Sequence, residues 1–297
     1  MAQAVCRDRR REHGPLGYRR AAARAAIIAA LLGAPVYSPS PAQGAATVRE
    51  SVFSYHDGWR MYVYCGQCSV RRPAILFVHG GAWHRGWLYS SELDFARQLA
   101  ASTGWTVAAF DYSVASPRWR TEPRLVHAAL LKLATLRSVD SKRLAIWGES
   151  AGAHLALLEG YKHPRSDRFR VRGVVSISGP TDMVTAFRTG LQRHLKAVRA
   201  FEGSRPAGAR ARYRDTSPTT FATGTCPATF QAGSLGDYEV PPSQLRELNH
   251  ALVGTGVRHR MLLVGGHGHS SVIEGARTRD GRTVQQRAIA FLRASMA

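Results

Sequence analysis

Short, fully apolar runs that alternate with amphipathic segments restrict the fold of this chain more than any other feature. The apolar runs occupy residues 74–78, 105–110, 143–147 and 171–178. Segments with helical spacing of apolar residues occupy residues 91–102, 121–137 and 150–161. A strand that is apolar throughout is buried on both faces, which is typical of a central parallel strand. The alternation therefore predicts an α/β fold with a mostly parallel central sheet flanked by helices on both faces.

The rest of the chain extends this pattern at both ends. Residues 50–64 predict a β-hairpin that turns at His56-Asp57-Gly58. Further strands are predicted at 228–232 and 258–264, and further helices at 245–252 and 283–295. Residues 182–224 are rich in arginine and are predicted to be an irregular insertion, a candidate cap over the sheet. For helix 121–137, Thr121 is the predicted cap, which would place Pro123 in the first turn.

The first 46 residues differ in composition from the rest. A basic start from Arg7 to Arg20 precedes twelve apolar residues, 25–36, and small residues follow at 41–46. This layout is typical of a secretory signal, and twelve residues are fewer than the roughly 20 that span a bilayer. We expect cleavage near residues 44–46 and export to the periplasm or the medium. The alternative is a basic tail on a cytoplasmic protein.

Residues 47–297 are predicted to form one domain. A chain of 297 residues with 44% hydrophobic residues is large enough to bury a single sizeable core. Its 41 Lys and Arg against 20 Asp and Glu give a net charge of +21. The basic residues are scattered rather than set in a stripe with aromatic residues, so a solvated basic surface is expected and nucleic-acid binding is not.

The cysteines leave two interpretations open. Cys65 and Cys68 form a CxxC between two predicted strands, and Cys226 stands alone. A four-ligand zinc site needs a second pair, which the sequence lacks. In an exported protein Cys65 and Cys68 could form a local disulfide. Two inert thiols are the other interpretation.

The sequence Gly148-Glu149-Ser150-Ala151-Gly152 is the sharpest chemical motif. This G-x-S-x-G follows a β-rich apolar run and opens a helix, which is the context that gives the motif meaning. The small residues permit a tight bend that would raise Ser150 above the sheet edge, near the positive end of the helix dipole. Ser150 is therefore the predicted nucleophile.

A second motif, His79-Gly80-Gly81-Ala82-Trp83, follows strand 74–78. In acyl transfer the transition state carries a negative oxygen, which preorganised N–H groups stabilise. The expected donors are the amides of Gly81, Ala82 and Ala151. His79 is predicted to be a structural hydrogen-bonding residue, and Trp83 either lines the substrate pocket or packs in the core.

Together these motifs resemble a known family. HGGAW, Asp111-Tyr112, GESAG and Gly179-Pro180-Thr181-Asp182 resemble the α/β-hydrolase carboxylesterases over roughly residues 50–295. The most similar groups are the hormone-sensitive-lipase-like esterases and the feruloyl-esterase/arylformamidase branch with HGGxW. The family has a second glycine where Ala153 stands, and an acid is common near the place of His127. These departures caution against carrying over a substrate.

The resemblance also implies the rest of a catalytic triad, in the chain order serine, acid, histidine. The stretch from Gly233 to Pro241 is similar to a family segment that ends in D-x-x-V-P, which makes Asp237 the acid and Glu239 the fallback. For the base, some relatives end in G-H-G-F, which would select His267. Others end in N-H-x-S, which selects His269, and the residues that follow match this second form better.

The sequence thus predicts a serine hydrolase that cleaves small-molecule carboxylic esters through an acyl-enzyme on Ser150. Two alternatives stay open: an arylformamidase or amide hydrolase with the same triad, and a non-catalytic binding protein on the same fold. No metal or organic cofactor is expected, and no stable membrane anchoring. The sequence does not predict the acyl or alcohol specificity or the oligomeric state.

Overall fold

A computed structural model describes residues 48–189, 192–266, 268–269 and 275–297. These residues belong to one compact unit, Ala46–Ala297. The predicted export signal at 1–46 and the alternative base His267 lie outside the described residues. Among the described residues, no helix combines the length and apolar character needed to cross a bilayer.

The centre of the fold is an eight-stranded sheet. Its strands are β1 (Arg49–His56), β2 (Trp59–Cys65), β3 (Arg72–Val78), β4 (Thr106–Phe110), β5 (Val139–Glu149), β6 (Val171–Ile177), β7 (Ala228–Ser234) and β8 (His259–Val264). They lie in the order β1-β2-β4-β3-β5-β6-β7-β8. Strands β1 and β2 pair antiparallel, as do β2 and β4, and all other neighbours are parallel. The predicted hairpin and mostly parallel sheet are confirmed.

Helices cover both faces of the sheet. The described helices are α1 (Ser90–Thr103), α2 (Arg118–Ala134), α3 (Ala151–Lys162), α4 (Met183–Ala186), α5 (Gln192–Glu202), α6 (Arg210–Asp215), α7 (Pro242–Leu252) and α8 (Val284–Ser295), with single 3₁₀ turns at Pro206–Gly208 and Pro218–Phe221. Buried residues of α2, α3, α5 and α7 form one hydrophobic cluster, and those of α1 and α8 form the other. The predicted α/β class is therefore confirmed.

Strand β3 shows why the apolar runs become central strands. Every residue from 73 to 78 is buried. Successive side chains of a strand point to opposite faces. Accordingly Leu76 and Val78 belong to the first cluster, whereas Ile75 and Phe77 belong to the second. A polar residue at any of these positions would be buried under one layer of helices.

Helix α2 begins earlier than the sequence predicts. Its first residue is Arg118 rather than one near Thr121, so Pro123 lies in the second turn. The backbone amides of Arg120 and Thr121 both donate to the carbonyl oxygen of Pro117, and this closes the first turn ahead of the predicted cap. The prediction of Thr121 as the cap is wrong for that reason.

The insertion at 182–224 is not irregular, contrary to the prediction. It contains α4, α5, α6 and the two 3₁₀ turns. Asp182 caps α4, because its carboxylate accepts hydrogen bonds from the amides of Val184 and Thr185. Helix α5 buries Ala197, Val198 and Phe201 in the first cluster. The arginines on the exposed face of the same helix obscured the spacing of these apolar residues in the sequence.

Cys65 and Cys68 form a disulfide in the structure rather than two free thiols, and their Cα atoms are 5.6 Å apart. Cys226 is a free, half-buried thiol, and burial raises its pKa.

A cramped bend joins β5 to α3. Ser150 takes the positive φ of 52° with ψ of −122°, a conformation rare for a residue with a side chain. Two residues later the backbone of α3 passes directly under the end of β3. A Cβ atom on Gly152 would lie 2.1 Å from the carbonyl oxygen of Val78, so only glycine fits there. The G-x-S-x-G pattern is therefore a requirement of packing as well as of chemistry.

We expect Gly152→Ala to lower the free energy of unfolding by about 1–3 kcal/mol or more, because the added methyl group must push two backbone segments apart. Urea unfolding followed by circular dichroism measures the change. The matched control is Gly208→Ala, since a Cβ there meets no atom within 4 Å. Equal unfolding midpoints for Gly152→Ala and the wild type would contradict this account of the bend.

Candidate active site

Ser150 stands at the carboxyl end of β5, where ligands bind in open α/β sheets. Its backbone amide donates a 2.8 Å hydrogen bond to the carbonyl oxygen of Ile177, which ties the bend to β6. Its side chain is half-buried. On the side of the bend away from β6 lies Gly80, where a Cβ atom would be 3.2 Å from the Cβ of Ser150. The bend thus sits between β6 and the loop that follows β3.

A chain of two hydrogen bonds connects Ser150 to His269 and Asp237. The hydroxyl of Ser150 lies 2.8 Å from Nε2 of His269, and Nδ1 of the same ring lies 2.8 Å from Oδ2 of Asp237. Because a carboxylate only accepts, Nδ1 carries the proton and Nε2 is left to accept from the serine. The three predicted triad members therefore meet in the arrangement that general-base catalysis requires.

The loop after β7 fixes the carboxylate of Asp237. The other carboxylate oxygen, Oδ1, accepts from the amides of Glu239 (3.0 Å) and Val240 (2.9 Å). The side chain is 1% exposed, so its orientation depends on these bonds and on His269. Glu239, the fallback acid, forms an ion pair with Arg193 of α5 instead. Of the two acids, Asp237 is the one in contact with the imidazole.

The predicted oxyanion loop runs beside the serine in a strained conformation. Ala82 and Trp83 both have positive φ values, 53° and 57°. Strain of this kind persists only where surrounding contacts impose it, and it concentrates at functional sites. Ala151 is the first residue of α3, so its amide has no acceptor in a preceding turn. The amides of Gly81, Ala82 and Ala151 are thus carried by segments that flank the Ser150 hydroxyl.

An ion pair that the sequence analysis missed holds this loop in place. The guanidinium of Arg85 contacts both oxygens of Glu92 at 2.6 and 2.7 Å and donates to the carbonyl of Gly80 at 3.0 Å. Both side chains are largely buried, where a two-point charged contact is strongest. Glu92 also accepts from the amide of Tyr89 at the start of α1. Arg85 therefore anchors the HGGAW loop to α1.

His79 is a structural residue, in line with its predicted role. Its Nδ1 donates to the carbonyl of Gly80 at 2.6 Å, and its ring stacks on Tyr112 with centroids 4.3 Å apart. Burial lowers the pKa of His79 to about 4. The ring is therefore neutral at neutral pH. It supports the loop from behind and has no contact with the Ser150 hydroxyl.

Trp83 lies between the cavity and the core. It lines the cavity above Ser150, yet its side chain is buried and its ring packs 5.0 Å from that of Phe201 on α5. Its indole Nε1 donates to Nδ1 of His154 at 3.2 Å, and Nε2 of His154 donates to the carbonyl of Thr216 at 2.7 Å. These two hydrogen bonds join the HGGAW loop, α3 and the insertion.

A cavity of about 290 Å³ opens over Ser150 and His269. Its wall includes four residues of α5: Arg193, His194, Lys196 and Ala197. His194 is buried, and its Nε2 has no hydrogen-bond partner among the described residues. Burial lowers its pKa to about 4, and the neighbouring His269 ring adds to that shift. A neutral imidazole with an unused polar atom thus stands beside the triad.

Sequence reasoning did not find Arg85, His154 or His194. His154 follows Ser150 by four residues and therefore shares its helix face, which is a local pattern that could have been noticed. Arg85 and Glu92 are seven residues apart across a loop, and no spacing rule pairs them. His194 belongs to the segment that was predicted to be irregular, so its burial could not be foreseen.

The fold and the site together define an α/β-hydrolase, because a serine on a strand-to-helix bend meets an acid and a histidine from later loops of a mostly parallel sheet. Residues 62–252 match the sequence model of the BD-FAE family. The match covers more than half of the chain, so the protein belongs to this family of esterase-like α/β-hydrolases. No protein with a curated description matches the sequence.

Solved structures share the fold. A truncated carbohydrate esterase from gut microbiota superposes with a TM-score of 0.65 at 19% identity, covering 77% of this chain and 91% of its own. An esterase from Pyrobaculum calidifontis gives 0.65 at 21% identity, with 84% and 86% covered. A puromycin-hydrolysing peptidase from Mycobacterium tuberculosis gives 0.71 at 22% identity, with 88% of this chain and 41% of the peptidase covered. At these identities the likeness establishes the fold alone.

Burial of His154 makes stability depend on pH. Burial lowers its pKa to about 4, against the ordinary 6.5, and the bond to Thr216 opposes this only in part. Well above pH 6.5 neither the folded nor the unfolded chain binds a proton at this position. As the pH falls from 6.5 toward 4, the unfolded chain takes one up and the folded protein does not, so stability is lost.

We expect His154→Gln to abolish about 2 kcal/mol of the stability loss between pH 7.5 and pH 5, because glutamine keeps both hydrogen bonds but does not titrate. Urea unfolding at the two pH values measures this difference. The control is the exposed His250→Gln, for which the wild-type loss should persist. An unchanged pH dependence in His154→Gln would show that the folded protein does not hold the imidazole of His154 neutral.

Proposed function

We propose that this protein is a serine ester hydrolase in which Ser150 attacks the substrate carbonyl, His269 is the general base and Asp237 orients the imidazole. The observation that carries the proposal is the chain of 2.8 Å hydrogen bonds from Ser150 through His269 to Asp237. A lone serine on a bend would be a weak nucleophile at neutral pH. The imidazole beside it supplies the missing base.

The reaction then proceeds in two halves. As the serine oxygen bonds to the carbonyl carbon, its proton moves to Nε2 of His269, and the imidazolium is stabilised by Asp237. The carbonyl oxygen gains negative charge opposite the amides of Gly81, Ala82 and Ala151. His269 returns the proton to the departing alcohol, which leaves an acyl-enzyme. Water repeats the sequence and releases the acid.

Two other functions would use the same site. An arylformamidase or amide hydrolase would need only a different leaving group, and the relatives in fold include a puromycin-hydrolysing peptidase beside the esterases. A binding protein would need no hydrogen bond between the serine and the imidazole. Esters are favoured here because the family is esterase-like. One acyl group offered both as an ester and as an anilide discriminates the first two functions.

The cavity wall supports a substrate with oxygen-rich or anionic groups near the scissile bond. Arg193 is paired with Glu239, but Lys196 has no ion-pair partner among the described residues. Arg118 adds positive charge at the rim, where its guanidinium lies 2.9 Å from Nδ1 of His84. Nε2 of His194 is buried and has no hydrogen-bond partner among the described residues, so rotation of its ring would be needed to bring it to a bound substrate. Such a wall offers polar partners to hydroxyl, carboxylate or carbonyl groups of a substrate, beside the apolar surface that Trp83, Pro180 and Ala197 supply.

We expect Ser150→Ala to reduce kcat/KM for p-nitrophenyl acetate by at least about 10³, because the nucleophile is removed. His269→Ala should cause a loss of similar size, since triad members act as a unit. Hydrolysis by the full chain is followed by release of p-nitrophenolate, with thermal unfolding as a check on folding.

The matched control for the base is His267→Ala, which should keep most of the activity. If His267→Ala abolishes hydrolysis and His269→Ala does not, the base is misassigned. Full turnover by Ser150→Ala would overturn the whole mechanism.

His194 is expected to position the substrate rather than to transfer the proton. His194→Phe should raise KM about 3–10-fold for esters with a hydroxyl or carboxylate group, which is the scale of one uncharged hydrogen bond. The kcat should change less, and His194→Asn should restore part of the binding. Simple alkyl esters of the same size are the control and should be unaffected. Equal KM changes for both ester types would mean that His194 only packs the wall.

A further inference from the structure

A second group of histidine and carboxylate side chains lies at the end of α3 that is farther from Ser150. His127 projects from α2, Glu159 from the last turn of α3, and His163 is the cap residue that follows α3. The triad does not involve these residues. They join two neighbouring helices through one carboxylate.

The three side chains converge on a small volume. Nδ1 of His127 lies 2.7 Å from Oε1 of Glu159, and Nδ1 of His163 lies 3.1 Å from Oε2 of the same carboxylate. All three ligand atoms lie within 4.8 Å of one another. The carboxylate is 1% exposed, whereas the two imidazoles are 34% and 54% exposed. The carboxylate is therefore buried, and the two imidazoles that contact it are partly open to solvent.

We propose that His127, Glu159 and His163 form a binding site for a Zn²⁺ ion that cross-links α2 to the end of α3. Two imidazole nitrogens and one carboxylate oxygen are a ligand set that zinc uses, with bonds of about 2.0–2.2 Å. The present spacing needs only small side-chain shifts to accept an ion among the three atoms. Water would complete the tetrahedron on the side where the two imidazoles are exposed.

The position in the fold favours a cation. The carbonyl groups at the end of a helix carry partial negative charge, and Glu159 adds a buried negative charge in the same turn. Lys162, the basic residue in this turn, pairs with Asp215 of α6 at 2.7 Å. Its ammonium is therefore directed to another partner. The carboxylate of Glu159 therefore contacts His127 and His163 rather than Lys162.

The site acts on the structure rather than on the reaction. Glu159 lies nine positions after Ser150, so the cluster lies about 14 Å along α3 at 1.5 Å per residue. A bound ion would secure the end of the helix whose beginning carries the nucleophile. Its loss would change stability and leave the chemistry at Ser150 in place, so this proposal fails or succeeds independently of the proposed function.

The test is titration of the metal-free full-length chain with ZnCl₂ in a calorimeter. We expect one ion per chain bound through the cluster, and a rise in Tm of at least about 3 °C at saturating zinc, because ligands of the folded state stabilise it. His163→Gln and His127→Gln should each weaken this binding at least about tenfold. Visible bands of Co²⁺ bound in place of zinc would report imidazole ligation independently.

Two control variants separate this cluster from other histidines. His250→Gln alters an exposed histidine outside the cluster, and His269→Ala removes the imidazole of the triad; both should keep the zinc affinity. The Tm of each variant without zinc verifies that it folds, and the exposure of His163 makes its replacement tolerable. Absence of zinc binding, or affinity unchanged in both cluster variants, would overturn the proposal.

Discussion

Close backbone contact between β3, β5 and α3 is the constraint on which the site depends. Because α3 runs beneath the end of β3, a Cβ atom on Gly152 would lie 2.1 Å from the carbonyl oxygen of Val78. That approach holds Ser150 at a φ of 52°, with its hydroxyl raised from the sheet. The same crowding brings Gly80 against the serine. The loop that carries the proposed oxyanion amides is therefore positioned by the same packing that positions the proposed nucleophile.

The insertion at 182–224 completes the site from above. Its helix α5 places Phe201 against Trp83, and the carbonyl of Thr216 accepts a hydrogen bond from Nε2 of His154. The Arg193–Glu239 ion pair connects α5 to the loop that carries Asp237. The insertion is thus bonded to the HGGAW loop, to α3 and to the loop that carries Asp237.

The central elements were predictable because their patterns are local. Strand β3 and strand β4 are buried along almost their whole length, and a run of apolar residues records that burial directly. The prediction failed where tertiary contacts replaced local rules. Helix α2 begins at Arg118 because the Pro117 carbonyl closes its first turn. Helix α5 was missed because Ala197, Val198 and Phe201 are interleaved with charged residues.

The sequence by itself determined the class of fold and the place of Ser150, since strand, bend and helix follow one another within a few residues. The resemblance of its motifs to known esterases also narrowed the candidates for the acid to Asp237 or Glu239 and those for the base to two histidines. Only the tertiary structure brought Asp237 to His269 across 32 residues and His269 to Ser150 across 119. It likewise turned His194 toward the cavity. Such contacts depend on how distant loops pack, and the spacing of residues along the chain carries no record of that packing.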